Sequence, residues 1–195
     1  MNYAEVKRCD IANGVGVRTS LFVSGCTHRC PGCFNEVAWD FYAGDSFTEE
    51  VEQQIIDSLA PDYVRGLTVL GGEPLEPSNQ RALLPFLKRV RRVRPEKDIW
   101  MYTGDVYEEV TDPSSPRHTE ATDELLGQVD VLVDGPFVSE LRDITLRFKG
   151  SSNQRLIDVP KTRAAGRVVL WEDDPMFVRH TMGPRNVKVP EHGER

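Results

Sequence analysis

No stretch of this 195-residue sequence stays apolar for the ~18 residues that a membrane-crossing helix needs. The opening MNYAEVKRCDIANG lacks a basic flank running into an apolar stretch, so no secretory signal is expected and the expected location is the cytoplasm. Positive charge is also short: 24 Lys and Arg stand against 31 Asp and Glu, a net charge of -7. That sign excludes a chain held as a whole to nucleic acid or anionic lipid by counterion release, so neither nucleic acid nor membrane is expected as a partner. There is no internal repeat and no low-complexity tract. With 39% hydrophobic and 28% charged residues, the composition is that of a globular domain rather than a disordered chain. No Ser-His-Asp set or paired carboxylates is evident, which leaves no acid–base pair on which to build a mechanism. Cysteine is scarce too, and its placement is uneven. In a reducing compartment, structural disulfides among Cys9, Cys26, Cys30 and Cys33 are disfavoured, which turns attention to metal or redox chemistry.

The pattern between these features predicts strands alternating with helices. Thr19–Val23 is short, β-branched and aromatic, and glycines bound it on both sides. Ser46 and Glu49 have the spacing of a capping box, and Val51, Ile55 and Leu59 place an apolar stripe on a helix that Pro61 ends. Leu67–Leu70 is a continuous apolar run suited to a strand covered on both faces, and it stops at Gly71-Gly72. A helix carrying Leu83, Leu87 and Val90 follows, with Pro85 acceptable near its first turn and Pro95 beyond its end. Ile99–Tyr102 and Val131–Val133 read as further strands, DELLGQ as a brief helix, Arg155–Val159 as a fifth strand, and RVVLW as one more candidate. Such alternation implies a mostly parallel sheet with ligands at the carboxyl ends of its strands. The expected fold is α/β, an open partial (β/α) barrel, because the strand count falls short of a closed eight-stranded one. The expected division is a domain over residues 1–160 and a C-terminal extension over 161–195, one extra strand plus tail.

Cys26-Thr-His-Arg-Cys30-Pro-Gly-Cys33 directly follows the first of these strands, a Cys-x3-Cys-x2-Cys loop whose thiolates can face one centre. Soft sulfur ligands select an iron–sulfur cluster or zinc. Spacing alone leaves both open, with Cys9 or His28 available to complete a tetrahedral zinc shell. Three thiolates on a [4Fe–4S] cluster would leave the fourth iron without a protein ligand, the mark of a reactive centre. Cys9 is most simply an outlying thiol, and His28 a surface or supporting residue rather than a ligand. Asn13-Gly14-Val15-Gly16 precedes a strand and lacks the third glycine of a dinucleotide loop. The basic run KRVRRVRPEK reads as a solvated helix face in preference to a dock for an acidic partner.

Taken with NGVGVRTSLFVSGCTHRCPGCFN, LGGEPL, WMYTG, VDGPF and KGSSNQR, in that order between about Asp10 and Asp158, this loop resembles the radical S-adenosylmethionine superfamily. CPGCFN, DGPF and GSSNQR resemble more narrowly the family of activating proteins of anaerobic (class III) ribonucleoside-triphosphate reductase. The resemblance implies Cys26, Cys30 and Cys33 as ligands of a [4Fe–4S] cluster, and S-adenosylmethionine chelating its open iron. It implies one-electron cleavage to methionine and a 5′-deoxyadenosyl radical, which takes hydrogen from a glycine of the reductase's large subunit. A low-potential donor such as flavodoxin or ferredoxin would supply the electron. Gly71, Gly72, Glu73 and Pro74 match the superfamily's GGEP segment beside the methionyl amino group. Gly32 and Phe34 flank the third ligand on the side of the adenine. Thr103 and Asp134, at strand ends, are candidate partners for the cofactor's polar groups. The GSSNQR segment is a family marker expected near the partner's glycine loop. Two alternatives stand beside this one: the same chemistry on another glycyl-radical enzyme or a small molecule, and a zinc-stabilised binding module.

Overall fold

Alternation along each strand decides what the two faces of the sheet hold. The computed structural model describes residues 1–173, and its seven strands lie in the order β3-β1-β2-β4-β5-β6-β7. The centre is parallel: β2 (Val17–Val23), β4 (Val64–Gly71), β5 (Asp98–Tyr102) and β6 (Val131–Asp134) run the same way. The flanks are antiparallel, with β1 (Asn2–Asp10) on β2, β3 (Asp45–Ser46) on β1 and β7 (Arg155–Asp158) on β6. The α/β class and a parallel centre are therefore as expected, while half of the ladders are antiparallel.

One face carries Leu21 and Val23 of β2, Leu67 and Val69 of β4, Ile99 and Met101 of β5 and Leu132 of β6. Helices α1 (Glu49–Ser58), α2 (Pro77–Val93) and α4 (Thr122–Leu126) cover it with Ile55, Ile56, Leu83, Phe86, Leu87, Val90, Leu125 and Leu126. Each fully buried side chain of this size contributes about 1.5–3 kcal/mol. The opposite face has a smaller apolar cluster, Trp100, Val131 and Val133, joined by Tyr102, Phe148, Leu156 and Trp171. No helix among the described residues is long and apolar enough to cross a membrane.

Five points differ from expectation. β1 was not foreseen, because its burial is irregular and its apolar residues do not alternate; it exists by pairing with β2 across two bulges, with Cys9 at a positive φ of 56°. Ser46 does not cap α1: edge pairing draws it into β3, and the helix starts after Thr48. Pro85 sits in the middle of α2 rather than its first turn, where Pro77 stands instead. It is exposed, so the carbonyl freed one turn earlier can be hydrated. Val159 leaves the fifth strand to begin α5 (Val159–Ala165), capped by the Asp158 carboxylate, which accepts from Lys161 N at 3.0 Å. RVVLW forms only an isolated bridge between Leu170 and Ile157. The tail expected after Asp173 lies outside the described residues. The basic run ends α2 and is tied down internally: Arg91 reaches Asp130 at 2.6 Å, Arg89 reaches Glu52 at 3.2 Å, and Lys88 pairs with Glu124.

The second face also buries a charge. Arg18 is fully covered between β2 and β4, with Asp98 Oδ1 at 2.6 Å, Thr68 Oγ1 at 2.7 Å and the Leu67 carbonyl at 2.8 Å. Its guanidinium lies 5.3 Å from the centre of the Trp100 ring. Removing one partner of such a pair leaves the other group desolvated without compensation. Arg18→Ala is expected to lose about 3–5 kcal/mol of unfolding free energy in urea titration. Arg18→Lys should recover only part, since an ammonium lacks the fork that serves three acceptors. A loss below about 1 kcal/mol would mean the pair behaves like a surface bridge.

Candidate functional site

The carboxyl ends of the four parallel strands open onto one cavity of about 530 Å³. Its wall is built from Cys26, Cys30 and Cys33 after β2, Gly71–Glu73 after β4, Tyr102–Gly104 after β5 and Gly135 after β6, with His28, Gly32, Phe34 and Trp39 around the cysteine loop. Phe137, Leu146 and Phe148 add apolar surface, and Arg142 and Lys149 stand at the same wall.

Glycine is required where β4 meets the cysteine loop. Gly71 has φ +113°, and a Cβ on Gly72 would stand 2.6 Å from the Gly25 carbonyl oxygen and 2.9 Å from that of Ala38. The close approach is hydrogen-bonded: Gly72 N donates to Val23 O at 2.7 Å, Glu73 N to Gly25 O at 2.8 Å and Gly25 N to Ala38 O at 2.8 Å. The pair of glycines thus serves as a tight junction and as cavity wall at once.

Glu73 is buried and spans the strand ends. One carboxylate oxygen accepts from Leu75 N at 2.7 Å, the other from Gly104 N at 2.7 Å and faces His28 Nε2 at 3.2 Å. Asp105 Oδ1 lies 3.3 Å from the same nitrogen. Hydrogen bonds to Asp105 and Glu73 push the His28 pKa up to about 10, so the imidazole is a cation at neutral pH. Beside it, Arg117 pairs with Glu76 at 2.6 Å and with Asp105 at 3.2 Å. Glu76 Oε1 accepts from Thr27 N at 2.7 Å and Thr27 Oγ1 at 2.6 Å. Burial would raise the Glu76 carboxyl, yet Arg117 and Thr27 hold it below its usual range. The first half of the cysteine loop is therefore clamped by charge. His28, Glu73 and Asp105 bring ligand atoms within 4.8 Å of one another. Both Glu73 oxygens accept from backbone amides and Asp105 Oδ1 accepts from Arg117 Nε, so the cluster is tied together as an ion-pair network.

The three cysteines are half-buried and free, and burial, with Glu73 and Glu76 nearby, raises the Cys26 thiol to about 11. Their sulfurs do not gather within the 4.8 Å that unites the His28 set. Cys9 is exposed and lines a separate pocket with Thr19, Ser58 and Tyr63, so it does not join the loop. His28 spends its Nε2 on carboxylates.

Of the other residues named from sequence, Gly32, Phe34, Gly71, Gly72, Glu73 and Thr103 line the cavity, whereas Pro74 and Asp134 do not. Phe34 is 88% exposed, so most of its ring faces outward. Thr103 Oγ1 accepts from Asp105 N at 3.0 Å. Asp134 is wholly buried, and its carboxylate accepts from Arg155 Nε at 3.0 Å and from Tyr107 N at 2.9 Å. It belongs to the frame of the site. The GSSNQR segment has a structural reason as well. Asn153 and Gln154 donate to the carbonyls of Pro136 and Gly135 at 2.8 and 3.0 Å, binding this segment to DGPF. Sequence reasoning missed Glu76, Asp105 and Arg117. Glu76 and Asp105 follow recognised motifs by two residues or fewer, but Arg117 lies in a proline-containing stretch without periodicity.

Residues 12–157 match the family described as a 4Fe-4S single cluster domain. The chain is 45% identical over 156 residues to the anaerobic ribonucleoside-triphosphate reductase-activating protein of Haemophilus influenzae, covering 79% of this chain and 96% of that protein. It is 41% identical over 156 residues to the protein of the same name from Escherichia coli K12, with 79% and 96% covered. Identity to the enterobacteria phage T4 protein of that name is 38% over 156 residues, with 80% and 93% covered.

If the Arg117–Glu76–Thr27 clamp holds the loop, Arg117→Met should speed amide hydrogen exchange within residues 26–33 by roughly tenfold or more, the equivalent of ~1.4 kcal/mol of local opening. Exchange in β4 and β5 should stay unchanged. Equal acceleration across the sheet would instead indicate global destabilisation.

Proposed function

The chain belongs to the family of anaerobic ribonucleoside-triphosphate reductase-activating proteins, with a 4Fe-4S single-cluster domain, and on that premise we propose that it is a radical S-adenosylmethionine enzyme. Its action is to activate the reductase by creating a glycyl radical on the large subunit. The observation that carries this reading is the convergence of three thiols and a glycine-walled strand end on one cavity, with the fourth cysteine elsewhere.

The donor set fits the cofactor. Cys26, Cys30 and Cys33 would hold a [4Fe–4S] cluster, whose thiolate ligands are its usual donors. When bound, the cluster supplies one electron, from a low-potential donor such as flavodoxin or ferredoxin, and S-adenosylmethionine yields methionine and the hydrogen-abstracting 5′-deoxyadenosyl radical. The chain's own groups bind, orient and shield. The Gly71–Glu73 wall offers main-chain atoms to the methionyl end, and Gly32, Phe34 and Thr103 border the nucleoside end. Phe137, Leu146 and Phe148 present apolar surface that limits solvation of the reacting groups by water. The His28–Glu73–Asp105 cluster keeps the loop and the strand ends in register. Within this reading the sheet is an open partial barrel, residues 1–160 hold the machinery, and 161–195 form an extension. Support for that division is that the family match ends at residue 157. The expected compartment is the cytoplasm.

The test is reconstitution under strict anaerobiosis with iron and sulfide, followed by reduction with S-adenosylmethionine and the reductase. The expected result is bound iron and sulfide, 5′-deoxyadenosine, and a glycyl radical signal in electron paramagnetic resonance. Cys30→Ala should lose both iron and cleavage, and Cys9→Ala should keep both. A colourless protein with stoichiometric zinc and no 5′-deoxyadenosine would refute the proposal. Cleavage without a reductase radical would move the target to another substrate.

A further inference from the structure

Two residues of the cavity wall each carry a buried polar hydrogen without a partner among the described residues. The Tyr102 hydroxyl and the Trp39 indole nitrogen are both buried and have no hydrogen-bond partner among the described residues. Both residues line the cavity, from different sides of the cysteine loop: Tyr102 at the end of β5, and Trp39 in the helical turn Glu36–Trp39, whose carbonyl receives Cys26 N at 3.2 Å. A buried hydroxyl or indole N–H with nothing to bond is costly in a folded protein, and nearly all such groups find partners. Phenylalanine at position 102 would fill nearly the same space without that cost.

From these two orphaned donors we infer that Tyr102 and Trp39 are ligand-anchoring residues, supplying hydrogen bonds to acceptor atoms of the S-adenosylmethionine held beside the cysteines. The inference rests on the proposed function and adds residues to it that the cysteine and GGEP motifs do not contain. An indole N–H only donates, so its partner must be an acceptor; a phenol can do either. Burial raises the Tyr102 pKa well above its usual value against the opposing influence of Arg18, which keeps the phenol protonated and able to donate. A ligand with carboxylate, ribose hydroxyl and ring-nitrogen acceptors matches such a pair of donors. Tyr102 is held in place rather than mobile: it follows Met101 in β5 and pairs in register with Val133 of β6.

Equilibrium binding separates this role from a structural one. Isothermal titration calorimetry of the anaerobically reconstituted protein with its cluster oxidised measures S-adenosylmethionine affinity with no turnover. Tyr102→Phe and Trp39→Phe should each weaken binding by roughly three- to tenfold, the worth of one net hydrogen bond. Thermal unfolding of ligand-free Tyr102→Phe should match or exceed the wild type, because the variant removes an unpaired buried group. If both variants bind S-adenosylmethionine as tightly as wild type, the inference is overturned and the proposed function stands. A destabilised ligand-free Tyr102→Phe with unchanged affinity also overturns it and makes the hydroxyl part of the frame. If the wild type with a full cluster does not bind S-adenosylmethionine, the proposed function itself fails.

Discussion

The buried carboxylate of Glu73 binds together pieces of chain that are far apart in sequence. It accepts the Gly104 amide at the end of β5, satisfies Leu75 at its own turn, and faces the charged His28 of the cysteine loop. Its own amide donates to Gly25, where that loop begins. A carboxyl group so buried is tolerated because each oxygen has a donor, and removing one would leave a desolvated polar atom without a partner. The three strand ends are therefore fixed relative to one another before any cofactor arrives. Arg117 extends the same device outward through Asp105 and Glu76 to Thr27. This pre-organisation lets three thiols sit on a loop, a flexible kind of element, and still define a site.

The rest of the architecture serves that rim by assigning different duties to the two faces of the sheet. Apolar residues on alternate strand positions face α1, α2 and α4 and supply most of the burial. The intervening positions carry Arg18, Ser20, Thr68, Trp100 and Tyr102, which form a partly polar interior leading up to the cavity. A parallel centre puts all four carboxyl ends on one side, and the strands that border it, β1 and β7, run the other way. Asp134 shows how narrowly position and role are matched. One residue beyond Val133 at the same rim, it serves Arg155 and the start of α3 (Tyr107–Val110) instead of the cavity.

Much of this was legible in the residues. The four central strands, α2 and the cysteine loop all carry strong local signals: continuous apolar runs, four-residue spacing, and three cysteines separated by three and two residues. The misses share a cause. β1 and β3 are strands through their partners, and Ser46 looked like a cap until edge pairing claimed it. Arg117 has no local pattern, because its partners Glu76 and Asp105 are distant in sequence and meet it only through the fold. Asn153 and Gln154 made sense only once they were seen to close the Gly135–Phe137 loop.

The order of residues is enough for the family, the three candidate ligands and the parallel centre of the sheet. These depend on local spacing and periodicity, which survive without knowledge of the fold. Tertiary structure alone decided which strand-end residues face the cavity, that Cys9 stands apart, that Asp134 is a frame residue, and that Tyr102 and Trp39 keep unpaired donors at its wall. Those outcomes depend on long-range hydrogen bonds and on the direction of each side chain at a strand end. A one-residue step there turns a group from the cavity into the packed interior, and no local pattern records that step.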